Sequence, residues 1–265
     1  MCSLKIEHLK NRAYNLLQQY ARILYQLKQP EKVWGELIFA SIFLNNLGET
    51  DNVLFSYAND IYPRFGEAIT CSSSKWLNLA YRRLIKNGSC FESVDFQSSD
   101  SDISFLGDVF ILNKLEIIAY YNLATNSYQL HQFDSPEASI FLSNIANKIP
   151  TIEEMYYITH FIFYLTSIGR DVEACEVYPE LRVMLLKMLE IFSAYSRCVV
   201  NLDLFTEILL CKKLLREKIN RNETIFLNKF YDIFFQGAKS LQLDESFYSS
   251  YHTLFLLIML INVND

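Results

Sequence analysis

Seven glycines and five prolines in 265 residues are too few to punctuate a strand-rich fold with turns. No segment keeps the strict alternation of a half-buried strand for more than a few residues. The six cysteines, Cys2, Cys71, Cys90, Cys175, Cys198 and Cys211, form no C-x-x-C pair and share no spacing with histidines. Neither a disulfide framework nor a zinc site follows from them, and reduced thiols in a cytoplasm are the simpler expectation. Basic charge is also short: 24 Lys and Arg against 30 Asp and Glu leave a net charge of −6. That sign is wrong for a chain that neutralises a row of phosphates, so no nucleic-acid partner is expected.

Several motifs are missing as well. The isolated glycines make neither G-x-G-x-x-G nor G-x-x-x-x-G-K-[ST], and there is no G-x-S-x-G, H-E-x-x-H or E-x-x-H. No cofactor and no metal is therefore expected, although ligands gathered from distant helices stay open. The longest apolar stretches, Met155 to Ile168 and Leu254 to Ile261, fall short of the roughly 20 residues of a membrane span. The opening MCSLKIEHLKNR places charges where a signal peptide needs an apolar core. A soluble cytoplasmic protein without a membrane partner is the expectation.

What is present is hydrophobic residue, 51% of the chain, at helical spacing. Leu9, Ala13, Leu16, Leu17, Tyr20, Leu24 and Leu27 recur at three- and four-residue steps, as do Val33, Leu37, Ala40, Phe43 and Leu44 before Gly48. These patterns predict helices over 4–28 and 31–46. Others follow over about 50–61, 74–86, 107–126, 136–147, 151–168, 179–199, 202–219, 223–240 and 244–262. The fold class is all-α, with ten or eleven helices in one domain over 1–265. The two apolar stretches need an inner layer wrapped by an outer one, met by an α/α-toroid-like ring or by an irregular helical bundle. The exception to the short connections is an acidic, serine-rich loop at 88–106, a solvated connection or a lid.

The segment Thr151 to Asp171 carries the strongest hint of chemistry. On one helix, Glu153, Tyr157, His160, Tyr164, Ser167 and Asp171 share a face while the other faces are apolar. Unpaired buried polar atoms cost about 1–3 kcal/mol each, so such a stripe must meet polar groups, water or a ligand. Histidine takes either charge state near neutrality, which makes His160 a candidate acid or base with Tyr157 and Tyr164 beside it. Glu116, His252 and Glu36 repeat the oddity of a polar group among apolar neighbours, and Glu116 and His252 would complete an acid/base site if the helices converge. The alternative is a set of core groups that simply pack and hydrogen-bond. Lys75, Arg82, Arg83 and Lys86, and Lys212, Lys213, Arg216, Lys218 and Arg221, read as solvated outer faces or a docking patch.

Thr159, His160, Phe163, Tyr164, Leu165, Thr166 and Gly169, with Tyr251, His252 and Thr253, resemble an uncharacterised all-helical bacterial family. Its marks are a T-H-x-x-x-Y-L-T-x-x-G helix and a closing Y-H-T helix, and it sometimes occurs beside genes for peptide natural products. An acid often stands there in place of this chain's Ser167. The resemblance implies a helical domain and a modifying enzyme, and it assigns no catalytic residue.

Two functions follow. One is an enzyme that acts on a small-molecule or peptide substrate by proton transfer in a central helical cavity, such as a lyase, isomerase or cyclase, using His160, Tyr157, Tyr164, His252 and Glu116. The other is a non-catalytic helical module that binds a peptide or partner protein through its 17 Tyr and 20 Phe. The apolar C-terminal helix would allow a homodimer.

Overall fold

The computed structural model describes residues 2–26, 31–49, 53–65, 77, 81, 111–125, 136–173, 176 and 178–263. The acidic loop at 88–106, the basic residues Lys75, Arg82, Arg83 and Lys86, and the helix over 74–86 apart from Leu77 and Tyr81 lie outside them. Ten α-helices and no strand run through the described residues: α1 (Cys2–Leu24), α2 (Glu31–Asn46), α3 (Val53–Phe65), α4 (Ile111–Thr125), α5 (Pro136–Ala146), α6 (Ile152–Leu165), α7 (Pro179–Cys198), α8 (Leu202–Leu214), α9 (Arg221–Ser240) and α10 (Leu243–Asn262). The protein is an all-α helical bundle, and none of these helices is long and apolar enough to cross a membrane.

The apolar stretches become the inner helices. In α10 every residue from Leu254 to Leu260 is buried, and the helix packs on α1, α2, α8 and α9. The run from Leu254 to Leu260 is thus covered by the chain's own helices. At about 1.5–3 kcal/mol for each fully buried large aliphatic or aromatic side chain, α10 is a principal source of stability. Its polar residues are matched: the Tyr20 hydroxyl on α1 lies 2.6 Å from both Ser246 and Ser250. Helix α8 is buried on nearly all sides too, against α6, α7 and α10.

Helix α6 starts on a capping box, in which the Thr151 hydroxyl accepts from the Glu154 N–H and the Glu154 carboxylate accepts from the Thr151 N–H. It ends at Leu165, before the expected residue 168. Ser167, Ile168 and Gly169 take φ of 48°, 57° and 80°. The Asn46 amide holds this turn by donating to the Ile168 carbonyl at 2.9 Å. Left-handed conformation costs a β-branched residue such as Ile168 energy, and the tertiary bond from α2 supports it.

Lys212 corrects the expected solvated basic face. Its side chain is fully buried, and its ammonium lies 2.6 Å from Glu223 on α9 and 2.5 Å from Glu190 on α7. Arg216 extends the same region to Glu173 and Glu176. The segment contains a core ion pair that ties three helices together, because a lysine directed inward can meet carboxylates from helices on either side.

Candidate functional site

Helices α2, α4, α6, α8 and α10 meet around a cavity of about 280 Å³. Helix α2 contributes Gly35, Glu36, Phe39 and Ala40, and α4 contributes Glu116 and Tyr120. His160, Phe163 and Tyr164 come from α6, Glu207 from α8, and His252, Phe255, Leu256 and Met259 from α10. The lining thus mixes apolar and aromatic side chains with carboxylates and imidazoles.

On the α8–α10 side, His252 is surrounded by acids. Its Nδ1 lies 2.7 Å from Glu36 Oε2, and its Nε2 lies 3.2 Å from Asp203 Oδ2 and 3.5 Å from Glu207 Oε1. Burial alone would depress the imidazole, but hydrogen bonds to Asp203, Glu207 and Glu36 outweigh it and push the pKa up to about 12. Burial would raise the Asp203 carboxyl, yet His252 leads the hydrogen bonds that hold it below its ordinary value. Hydroxyls orient the two acids from behind. Thr253 donates to Asp203 Oδ1 at 2.9 Å and Thr159 donates to Glu207 Oε2 at 2.5 Å. Asp203, Glu207 and His252 each offer one ligand atom within 4.8 Å of the other two, the one described group able to hold a metal ion.

The α4–α6 side differs. Burial raises the Glu116 carboxyl above its ordinary value, opposed by hydrogen bonding from Tyr120, the charge of His160 and hydrogen bonding from Tyr164. Burial likewise drives both tyrosine hydroxyls well above the usual phenol range, which leaves them as neutral donors. His160 is half-exposed, with Nε2 4.0 Å from Glu207 Oε2 and its ring against Tyr164 and Phe163. The cavity thus has a carboxyl predisposed to hold its proton and an accessible imidazole on neighbouring helices.

Of the residues singled out in the sequence, His160, Tyr164, His252, Glu116 and Glu36 line this cavity. Tyr157 does not, because it sits a turn nearer the start of α6 and its hydroxyl donates to Glu153 at the exposed surface. Ser167 and Asp171 fall beyond the end of α6, so the polar stripe stops at Tyr164. Asp203 and Glu207 were not singled out. Their signal was present in Leu202–Leu214, where two carboxylates four residues apart interrupt an apolar helix. The quoted strings of the resemblance converge here: Thr159 and His160 approach Glu207, Tyr251 and His252 approach Glu36, and Thr253 bonds Asp203.

Gly35 offers a handle on the cavity. A Cβ at this helical position meets nothing within 4 Å. Gly35→Ala should therefore raise stability by about 0.5–1 kcal/mol, since glycine in a helix interior costs that much relative to alanine. Gly35→Phe should fill part of the space and weaken ligand binding while keeping the helical circular dichroism. Thermal unfolding and ligand-observed NMR check both, and undiminished binding in Gly35→Phe would place the ligand elsewhere.

Residues 112–229 match a family model described as a domain of unknown function, DUF6895. That span holds Glu116, His160, Asp203 and Glu207 and ends before His252. The match is consistent with an uncharacterised family. No curated protein and no solved structure matches the chain.

Proposed function

We propose that the protein is an enzyme that moves a proton to and from a small molecule, or a compact peptide-derived compound, held in this cavity. The observation that carries the proposal is that His160 and Glu116, from two helices, face one cavity with an apolar, aromatic wall. A carboxyl whose burial raises its proton affinity is usual general-acid material. His160, half-exposed and 4.0 Å from the Glu207 carboxylate, serves as the base. Glu116, held above its ordinary value by burial, serves as the acid, with Tyr120 and Tyr164 as neutral donors that orient it. A proton taken by His160 from the carbon next to a carbonyl, with a proton given by Glu116 to that carbonyl's oxygen, makes an enol. Reprotonation at a different carbon or on the other face gives isomerisation, expulsion of a leaving group from the next carbon gives elimination, and attack of the enol carbon on a second carbonyl of the same molecule, whose oxygen takes up a proton, gives cyclisation; in each case the enol oxygen returns its proton to Glu116. A cavity of about 280 Å³ lies near the small end of ligand pockets, which favours a small molecule over an extended chain.

The test is proton exchange. Incubation of the purified protein in D₂O with pools of carbonyl-containing metabolites and short modified peptides, read by mass spectrometry, should show deuterium entering carbon positions of at least one compound. Ligands that bind in NMR but neither exchange nor react across the pools would overturn catalysis and leave the non-catalytic module.

A further inference from the structure

We infer that Asp203, Glu207 and His252 form a site for one divalent transition-metal cation of the Mn²⁺ or Zn²⁺ type, with Glu36 as the outer partner of the histidine. Four observations carry it. Ligand atoms bound to one ion at about 2.0–2.2 Å lie about 3.0–3.5 Å apart in tetrahedral or octahedral arrangements. His252 Nε2 stands 3.2 Å from Asp203 Oδ2 and 3.5 Å from Glu207 Oε1, two edges of that size, and all three ligand atoms lie within 4.8 Å of one another, so a small inward shift of the carboxylates closes the site on an ion.

The second observation is the direction of the histidine. Its Nδ1–H donates to Glu36 Oε2 at 2.7 Å, and Nε2 is aimed at the two acids. A carboxylate behind the histidine fixes the tautomer and ring orientation that a metal needs. Thr253 and Thr159 each donate to one oxygen of an acid, and the second oxygen of each faces His252, that of Asp203 also accepting from the Tyr156 hydroxyl at 3.3 Å.

Third, Glu207 is only 2% exposed, yet among the described residues neither it nor Asp203 has an ion pair with lysine or arginine. Three carboxylates outnumber the protonated imidazole and the exposed Lys32 ammonium, which lies 3.9 Å from Glu36 Oε1, so an excess of negative charge remains, and buried charge without compensation is costly. A divalent cation supplies that compensation, with the Nε2 proton given up to solvent as the ion binds. Fourth, Glu207 and His252 also line the cavity, so open coordination positions would face a bound molecule. Two carboxylates and one imidazole are a borderline donor set, which selects Mn²⁺ or Zn²⁺ over ions that need thiolates.

The site is argued without the acid/base proposal, and the two fail separately: metal titration reads binding alone, whereas deuterium exchange reads turnover. The chelator-stripped full chain is titrated with Mn²⁺ and, separately, Zn²⁺ by calorimetry, with elemental analysis after dialysis. Co²⁺ serves as a visible-absorption probe of inner-sphere ligation. One equivalent should bind, with His252→Ala and Asp203→Asn losing the Co²⁺ absorption. Glu36→Gln, which keeps all three ligands, should weaken binding by about 10- to 100-fold. His8→Ala, which changes an exposed histidine of α1, should bind as the wild type does. Circular dichroism verifies the fold of each variant, and Glu36→Gln keeps the test decisive if the ligand variants unfold. Absence of binding to the folded wild type at about 1 mM, the weak end of functional ion sites, would overturn the proposal. So would one-equivalent binding that survives both His252→Ala and Asp203→Asn, or binding lost only in His8→Ala.

Discussion

Replacing His160 with alanine should slow deuterium exchange by about 10²- to 10⁴-fold, the range lost when a positioned acid or base is removed. The dissociation constant for the same compound should change little, because the apolar wall formed by Phe39, Phe163 and Phe255 remains. Initial exchange rates at saturating compound, paired with ligand-observed NMR, separate these quantities. Tyr157→Phe is the matched control from the same helix. Its hydroxyl donates to Glu153 and the residue does not line the cavity, so exchange should match the wild type. A loss of affinity with an unchanged saturated rate in His160→Ala would make the histidine a binding group.

The second large effect concerns the fold. Lys212→Met should lower the unfolding free energy by about 3–5 kcal/mol, because it leaves the Glu223 carboxylate buried without its cation. Urea unfolding at neutral pH measures this. Adding Glu223→Gln should recover most of the loss: the amide oxygen can accept from the Asn220 N–H, its NH2 can donate to the Ser193 hydroxyl, and the group carries no charge. A double variant as unstable as Lys212→Met would show that lysine packing, not charge, is what matters.

The pair also sets a pH dependence. Burial would raise the Glu223 carboxyl, but hydrogen bonds from Lys212, Ser193 and the Asn220 N–H outweigh it and hold the group below its ordinary 4.5. A depressed carboxyl contributes stability in full above the unfolded value. That contribution declines as pH falls through the folded value. The deficit of Lys212→Met should therefore shrink on acidification, since protonation relieves the orphaned charge.

Helix positions were legible in the sequence because apolar residues at three- and four-residue steps report the buried face directly. Helix ends were less so. Nothing local marks Leu165 as the end of α6: the stop depends on Ser167 and Ile168 in left-handed conformation, held by Asn46 from α2. Periodicity likewise placed His160 and Tyr164 on one face but could not show that the cavity begins a turn after Tyr157. Asp203 and Glu207 carry the same oddity as Glu36, a carboxylate in an apolar run, and were legible by that rule. Lys212 was not, because its partners come from two other helices. A charge pattern along one helix cannot distinguish a solvated lysine from a buried one.

The most direct test of the central claim is a crystal structure with the exchanging compound bound. The expected result places it in the cavity between α4, α6 and α10, with the carbon that exchanges next to His160 and the adjoining oxygen within about 2.6–3.2 Å of Glu116 or a tyrosine hydroxyl. A compound bound on another surface, with this cavity closed, would contradict it.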